Sequence, residues 1–128
     1  MSVSIVYVTM KTAEEAQRVA RTVVGERLAA AGNVLNEVAS VYWWDDVLHE
    51  TREAVLILKT RETLVPALVA RIQELHSYRC PGILAWQVVG GNPPYLDWIA
   101  EQTQATPCDG GPPSTDPCAP DFGRGHCP

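Results

Sequence analysis

The sequence predicts an α+β fold in which an antiparallel sheet carries both main helices on one face, and three observations lead there. Four stretches rich in β-branched and aromatic residues read as strands, apolar residues recur at helical spacing in two longer ones, and these fall in the order β-α-β-β-α-β with a short helix after them. Between the second and third strands, Ser40-Val41-Tyr42-Trp43-Trp44-Asp45-Asp46-Val47-Leu48 places turn residues in the middle of an aromatic-rich run, which is a hairpin signal. Both arms of that hairpin are unusually long, running from Asn33 to Trp44 and from Val47 to Thr60. Together these describe a ferredoxin-like split βαβ domain with a long β2-β3 hairpin and an extra C-terminal helix.

The elements follow in order. Val3 to Thr9 is a short β-branched strand. Thr12-Ala13-Glu14-Glu15 then reads as a capping box, with the Thr12 hydroxyl and the Glu15 carboxylate each meeting an otherwise free backbone N–H. Ala16, Val19, Ala20, Val23, Val24, Leu28 and Ala31 line one face of the helix that follows, and Gly32-Asn33 is expected to end it. The arms of the hairpin, at about 3.3 Å per residue, make a ribbon of roughly 40 Å. A domain of about 100 residues has a radius of gyration near 13 Å, so this ribbon projects beyond its own core. Its tip carries Tyr42, Trp43 and Trp44, which need a cover, and another copy of the chain is the simplest one.

A second amphipathic helix presents Leu64, Leu68, Ile72 and Leu75 and runs to about His76. Tyr78-Arg79-Cys80-Pro81-Gly82 breaks it, and Ile83 to Val89 forms the fourth strand. After Gly90-Gly91, Asn92 as N-cap with Pro93 and Pro94 opens a last short helix bearing Tyr95, Leu96, Trp98 and Ile99. From Gln104 onward the composition shifts to Pro, Gly, Asp and Cys, with Phe122 as its one aromatic residue. The chain therefore divides into a folded domain, residues 1–103, and a tail, 104–128, that has too little apolar area to offset ordering.

Composition narrows the function classes. With 128 residues, 46% hydrophobic and 20% charged, the chain suits one globular domain with a true core. A net charge of −5 without Lys/Arg clusters argues against nucleic acid. No stretch approaches the roughly 20 apolar residues of a membrane span, and the N-terminus lacks a basic region before its short apolar run. The expected location is the cytoplasm, where three of the four cysteines, Cys108, Cys118 and Cys127, lie in the tail and Cys80 stands alone in the domain.

A set of short segments gives the chain a family likeness. Val8-Thr9, Glu26-Arg27-Leu28-Ala29-Ala30, Ser40-x-Tyr42-x-Trp44, Glu53, Ile57-Leu58-Lys59-Thr60, His76-x-Tyr78 with Pro81, and Tyr95-Leu96-x-Trp98 resemble, in order and spacing, the CutA divalent-cation tolerance proteins. The resemblance implies a homotrimer of PII-like architecture whose hairpins wrap neighbouring subunits, and a link to copper and other divalent cations. It also brings out departures. Many relatives have Pro after the histidine and Glu after the proline, where this chain has Ser77 and Gly82. Some place a Cys in the first strand and a second His beside the first, where Val8 and Leu75 stand here, and the common Cys after Leu-Ala-Ala is Ala31. Of the proposed copper ligands only His76 remains.

The candidate sites each have a plainer reading. His76 is a candidate ligand for copper or another divalent cation, since neutral imidazole suits those metals. A helix-end histidine also serves simply to meet the last carbonyls. His49 and Glu50 face opposite sides of their strand and cannot chelate together. Glu53 and Lys59 share a strand face and, with Tyr78, are candidates to line an inter-subunit cleft, the plain alternative being a solvated or ion-paired face. Tyr42, Trp43, Trp44, Trp86 and Trp98 read as interface core before they read as a ligand platform. In the tail, Cys108, Cys118, His126 and Cys127 are soft-ligand types, but nine and eight residues separate successive cysteines, unlike the close pairs of zinc sites. Disulfide pairing, and an inert or cloning-derived extension, are the other readings. No spacing supports a catalytic triad or a phosphate loop, so an enzyme is not expected. The expected function is divalent-cation tolerance with weak metal contact. The alternative is a PII-like regulatory or scaffold module that binds a small anionic ligand or a partner protein at the inter-subunit clefts.

Overall fold

Alternation along the first strand fixes the layers. In the computed structural model, which describes residues 2–104, β1 (Val3–Met10) buries Val6, Val8 and Met10 on one face. The remaining elements are α1 (Ala13–Gly25), β2 (Ala31–Trp44), β3 (Val47–Arg61), a 3₁₀ turn (Glu62–Leu64), α2 (Val65–Leu75), β4 (Ile83–Gln87) and α3 (Pro93–Gln102). The four strands form one antiparallel sheet in the order β2-β3-β1-β4, the expected ferredoxin-like arrangement. Ala54, Leu56 and Leu58 of β3 lie opposite Met10, Val8 and Val6, and this face packs against Ala16, Val19 and Val23 of α1 and Leu68 and Ile72 of α2. The third helix covers one end of the other face, where Ile99 packs with Val3 and Ala30.

Helix α1 ends earlier than its sequence pattern implied. The Thr12 hydroxyl accepts the Glu15 N–H at 3.1 Å, as a cap should. The apolar repeat continues through Leu28 and Ala31, yet the helix stops at Gly25, and β2 already begins at Ala31. The stop is a Schellman motif: Arg27 takes a left-handed φ of 65°, the Leu28 N–H bonds Val23 O at 3.0 Å, and the Arg27 N–H bonds Val24 O at 3.0 Å. Leu28 and Val23 meet in the core, which is why the apolar spacing persisted beyond the helix.

The hairpin turn is built as the sequence required. Asp45 and Asp46 both adopt positive φ, 51° and 59°, between the paired residues Trp44 and Val47. Two successive left-handed residues in a two-residue loop make a type I′ turn, whose twist matches the strands it joins. Pairing between β1 and β3 begins only at Ala54, so among the described residues Val47 to Glu53 has β2 as its neighbour and no strand on the other side. The distal ribbon therefore stands clear of the sheet, with Trp43 71% and Trp44 55% exposed. A shift in register between Leu35 and Val38, unforeseen in the sequence, marks where it departs.

Candidate functional site

The C-terminus of α2 delivers the family-like His76-Ser77-Tyr78 segment into a partly buried polar knot. His76 occupies the C-cap, its side chain fully shielded. Its Nδ1 accepts the Tyr78 N–H at 2.9 Å. A main-chain N–H can only donate, so the ring proton sits on Nε2, which donates to Thr9 O at 2.7 Å. Both nitrogens of a neutral imidazole are thus committed. Among the described residues no three His, Cys, Asp or Glu side chains group to hold a metal ion. A divalent cation is therefore not matched by a preformed donor set in this domain. Cys108, Cys118, His126 and Cys127 lie outside the described residues.

Glu15 is the participant that sequence reasoning missed. Its carboxylate does not complete the capping box. It turns away from Thr12, is nearly buried, and accepts both the Ser77 N–H at 2.8 Å and the Ser77 hydroxyl at 2.9 Å. Two donors from one residue reward the carboxylate more than a single cap N–H, and they tie the start of α1 to the end of α2. The Ser77 hydroxyl takes part in that tie, and a proline at this position would have neither donor. Glu15 Oε2 lies 3.8 Å from His76 Nδ1, which with a neutral ring is a polar contact and no ion pair.

Tyr78 carries the knot to the base of the hairpin. Its hydroxyl donates to Glu53 Oε2 at 2.7 Å, one residue beyond the point where β3 leaves the central sheet. Burial pushes the Tyr78 phenol well above its ordinary value of 10.0, and the hydrogen bond to Glu53 and that residue's charge push it further. Tyr78→Phe is expected to lower stability by about 1.5 kcal/mol, the scale of a hydrogen bond to a charged acceptor. A phenol whose folded value is raised contributes stability that is intact below 10.0 and lost as pH rises beyond it. Denaturation of both proteins at neutral and alkaline pH checks this: the gap between wild type and Tyr78→Phe should shrink above pH 10.0. A constant gap contradicts the assignment.

Glu53 and Lys59 share the predicted strand face but belong to separate clusters. Lys59 Nζ donates to Asn33 Oδ1 at 2.7 Å and sits 5.7 Å from the centre of the Tyr95 ring. Tyr95 in turn stacks on Trp98, with ring centres 5.6 Å apart. At the ribbon, Tyr42 stacks on His49 at 5.4 Å, while Trp43 and Trp44 alternate to opposite faces. Two departures from the family likeness also find physical places. Val8 is a fully buried core residue, and a Cβ on Gly82 would lie 3.0 Å from the Thr9 hydroxyl oxygen, so any larger residue there must displace Thr9. Glu26 and Arg27 act structurally: Glu26 takes a bidentate contact from Arg71 at 3.0 and 2.9 Å, and Arg27 Nη1 bonds Gln102 Oε1 at 2.9 Å.

Comparison with known proteins agrees with this architecture. The family described as CutA1 divalent ion tolerance protein matches residues 4–102. A CutA protein of Pyrococcus horikoshii is 43% identical over 100 residues, covering 78% of this chain and 97% of that protein. A chloroplastic CutA 1 of rice is 38% identical over 100 residues, covering 78% of this chain but 56% of its own length. This chain likewise spans 59% of the mouse relative. Among solved structures, CutA1 from Oryza sativa superposes with a TM-score of 0.80 at 36% identity, covering 83% of this chain and 97% of that one. The CutA1 structure of Thermus thermophilus gives 0.77 at 36% identity, covering 80% and 99%. The chain belongs to the CutA1 divalent ion tolerance protein family.

Proposed function

We propose that this protein acts in divalent-cation tolerance as a cytoplasmic homotrimer, without catalysis of its own. The observation that carries the proposal is the family match across residues 4–102. Its description favours cation tolerance over the sensing of a small anionic ligand. Exposed apolar surface supports the assembly. Trp44, Val47, Leu84 and Trp86 are each half exposed or more in the isolated chain. Strand alternation sets Val47, His49, Thr51, Glu53, Val55 and Ile57 on one face, and cross-strand pairing adds Trp44 to it at one end and Tyr7 and Leu84 at the other; Glu53 and Val55 are already buried within the chain, so its exposed apolar residues lie at the two ends. Exposed apolar patches such as these two ends are what a neighbouring subunit covers. Among the described residues no helix is long and apolar enough to cross a membrane; the rice relative is described as chloroplastic and the Archaeoglobus fulgidus structure as periplasmic.

Contact with copper or another divalent cation is weak in this proposal. A cation at His76 must displace the Tyr78 N–H from Nδ1 or the Nε2–H bond to Thr9 O. The other donors are Cys108, Cys118, His126 and Cys127 of the tail. Calorimetric titration of the full chain with copper and zinc, beside His76→Gln and a chain with all three tail cysteines changed to Ser, separates the two. Weak binding lost in His76→Gln supports contact at His76. Binding that survives His76→Gln and vanishes with the cysteines moves the cation to the tail. No binding to the full chain overturns the proposed contact and leaves tolerance to be exerted without it.

A further inference from the structure

The sheet stops supporting the hairpin at the place where the hairpin changes direction. Met10 opposite Ala54 is the last pair between β1 and β3. On the β2 side of the same residue, Leu35 pairs with Val55 and Val38 with Glu53, so Asn36 and Glu37 together face Ala54. Two residues against one make a bulge, which bends its strand and interrupts the ladder. The ribbon's own polar contacts, Thr51 with Tyr42 at 3.4 Å and Arg52 with Glu37 at 3.8 Å, close within it and do not fix its direction relative to the domain. The Tyr78 hydroxyl does cross from the domain to the ribbon, 2.7 Å from Glu53 Oε2, and Glu53 retains 9% of its surface where the two meet.

We propose that Tyr78 is a latch for the distal ribbon: docked on Glu53 it holds one ribbon direction, and released it lets residues 38–53 swing as a hinged arm about the bulge at Asn36-Glu37. The domain side of the latch is firmly held. The Tyr78 N–H bonds His76 Nδ1 at 2.9 Å with the two ring centres 4.8 Å apart, and His76 Nε2 bonds Thr9 O at 2.7 Å. Ser77, between them, is tied to Glu15 by hydrogen bonds of 2.8 and 2.9 Å. The end of α2, the end of β1 and the start of α1 therefore position one hydroxyl. The ribbon side is gripped through a carboxylate, the stronger class of acceptor. Leverage gives this single contact its consequence. At about 3.3 Å per residue the arm from Glu53 to Val47 is about 20 Å long, so a turn of about 20° at the bulge carries the tip about 7 Å. Apolar side chains count as touching only within about 4.5 Å, so a displacement of that size breaks a contact outright. Tyr78 thus decides where Trp44 and Val47 are presented to a neighbouring copy; that consequence, unlike the latch itself, rests on the homotrimer reading.

Pulsed electron spin resonance on the full chain, with its own cysteines changed to Ser, tests the latch. Nitroxides introduced through Gln17→Cys on α1 and Glu50→Cys on the ribbon, both exposed positions, report the distance between domain and arm. Dilution with unlabelled chain leaves one labelled copy in each assembly. Tyr78→Phe, which keeps the ring and loses the hydroxyl, should widen that distance distribution about twofold, and Glu53→Ala should do the same. Glu53→Gln, whose amide oxygen still accepts, should keep the wild-type width. A control pair within the domain, Gln17→Cys with Gln73→Cys on α2, should keep its width in every variant. An unchanged ribbon distance in Tyr78→Phe, or equal widening of the control pair, would overturn the latch. Native mass of the same samples counts the copies independently, so widening in a species of one chain mass upholds the latch while setting aside the homotrimer.

Discussion

Replacing Trp44 with Ala is expected to weaken self-association by about thirtyfold, the equivalent of about 2 kcal/mol at an interface hot spot. Trp44 closes the two-residue turn opposite Val47, and both are 55% exposed in the isolated chain. Among the described residues the ribbon beneath them has only two strands, and no third strand or helix shelters an indole there. In the proposed assembly its burial comes from another copy. Trp43 provides the internal comparison, because it pairs with Leu48 on the opposite face. Trp43→Ala should weaken association less than Trp44→Ala, since Trp44 shares the strand face that carries the exposed Val47 and, further along the sheet, Leu84 and Trp86. Sedimentation equilibrium of the three proteins, with circular dichroism to show an unaltered fold, decides this. An association constant unchanged in Trp44→Ala contradicts the assigned interface.

Leu58→Ala is expected to cost about 3 kcal/mol of stability through the cavity it leaves. Leu58 is fully buried in the layer between the sheet and α1. The site has little freedom to collapse: a Cβ on Gly32 of the adjacent strand would lie 3.0 Å from Leu58 Cδ2 and 3.4 Å from Ala20 Cβ. The glycine lets β2 approach this closely, and backbone held in an antiparallel ladder cannot move in to refill the void. Association stabilises the folded chain by mass action, so unfolding of wild type and Leu58→Ala must be compared at one protomer concentration. A loss below about 1 kcal/mol would contradict the central place given to Leu58.

Local chemistry made much of this molecule legible. Thr12 announced the start of α1, Asp45-Asp46 announced the turn, and the β-branched run from Val3 to Thr9 announced the first strand. Features that depended on distant partners did not show. Arg27 in a left-handed conformation carries no sequence signature, because glycine ordinarily fills that position. Glu15 looked like a cap residue since its sequence neighbours supply a cap N–H. Its partner Ser77 is 62 residues away and was visible only as a missing proline. The separation of Glu53 from Lys59 has the same origin: strand alternation gives a shared face, while Tyr78 and Tyr95, from different elements, decide what each one meets.

In the proposed assembly two further copies of the chain cover the exposed ribbon and the exposed residues Leu84 and Trp86. Native mass spectrometry of the full chain at low micromolar concentration tests it most directly. The account predicts a dominant species of three times the 14.0 kDa chain mass. A dominant species of one chain mass would contradict it.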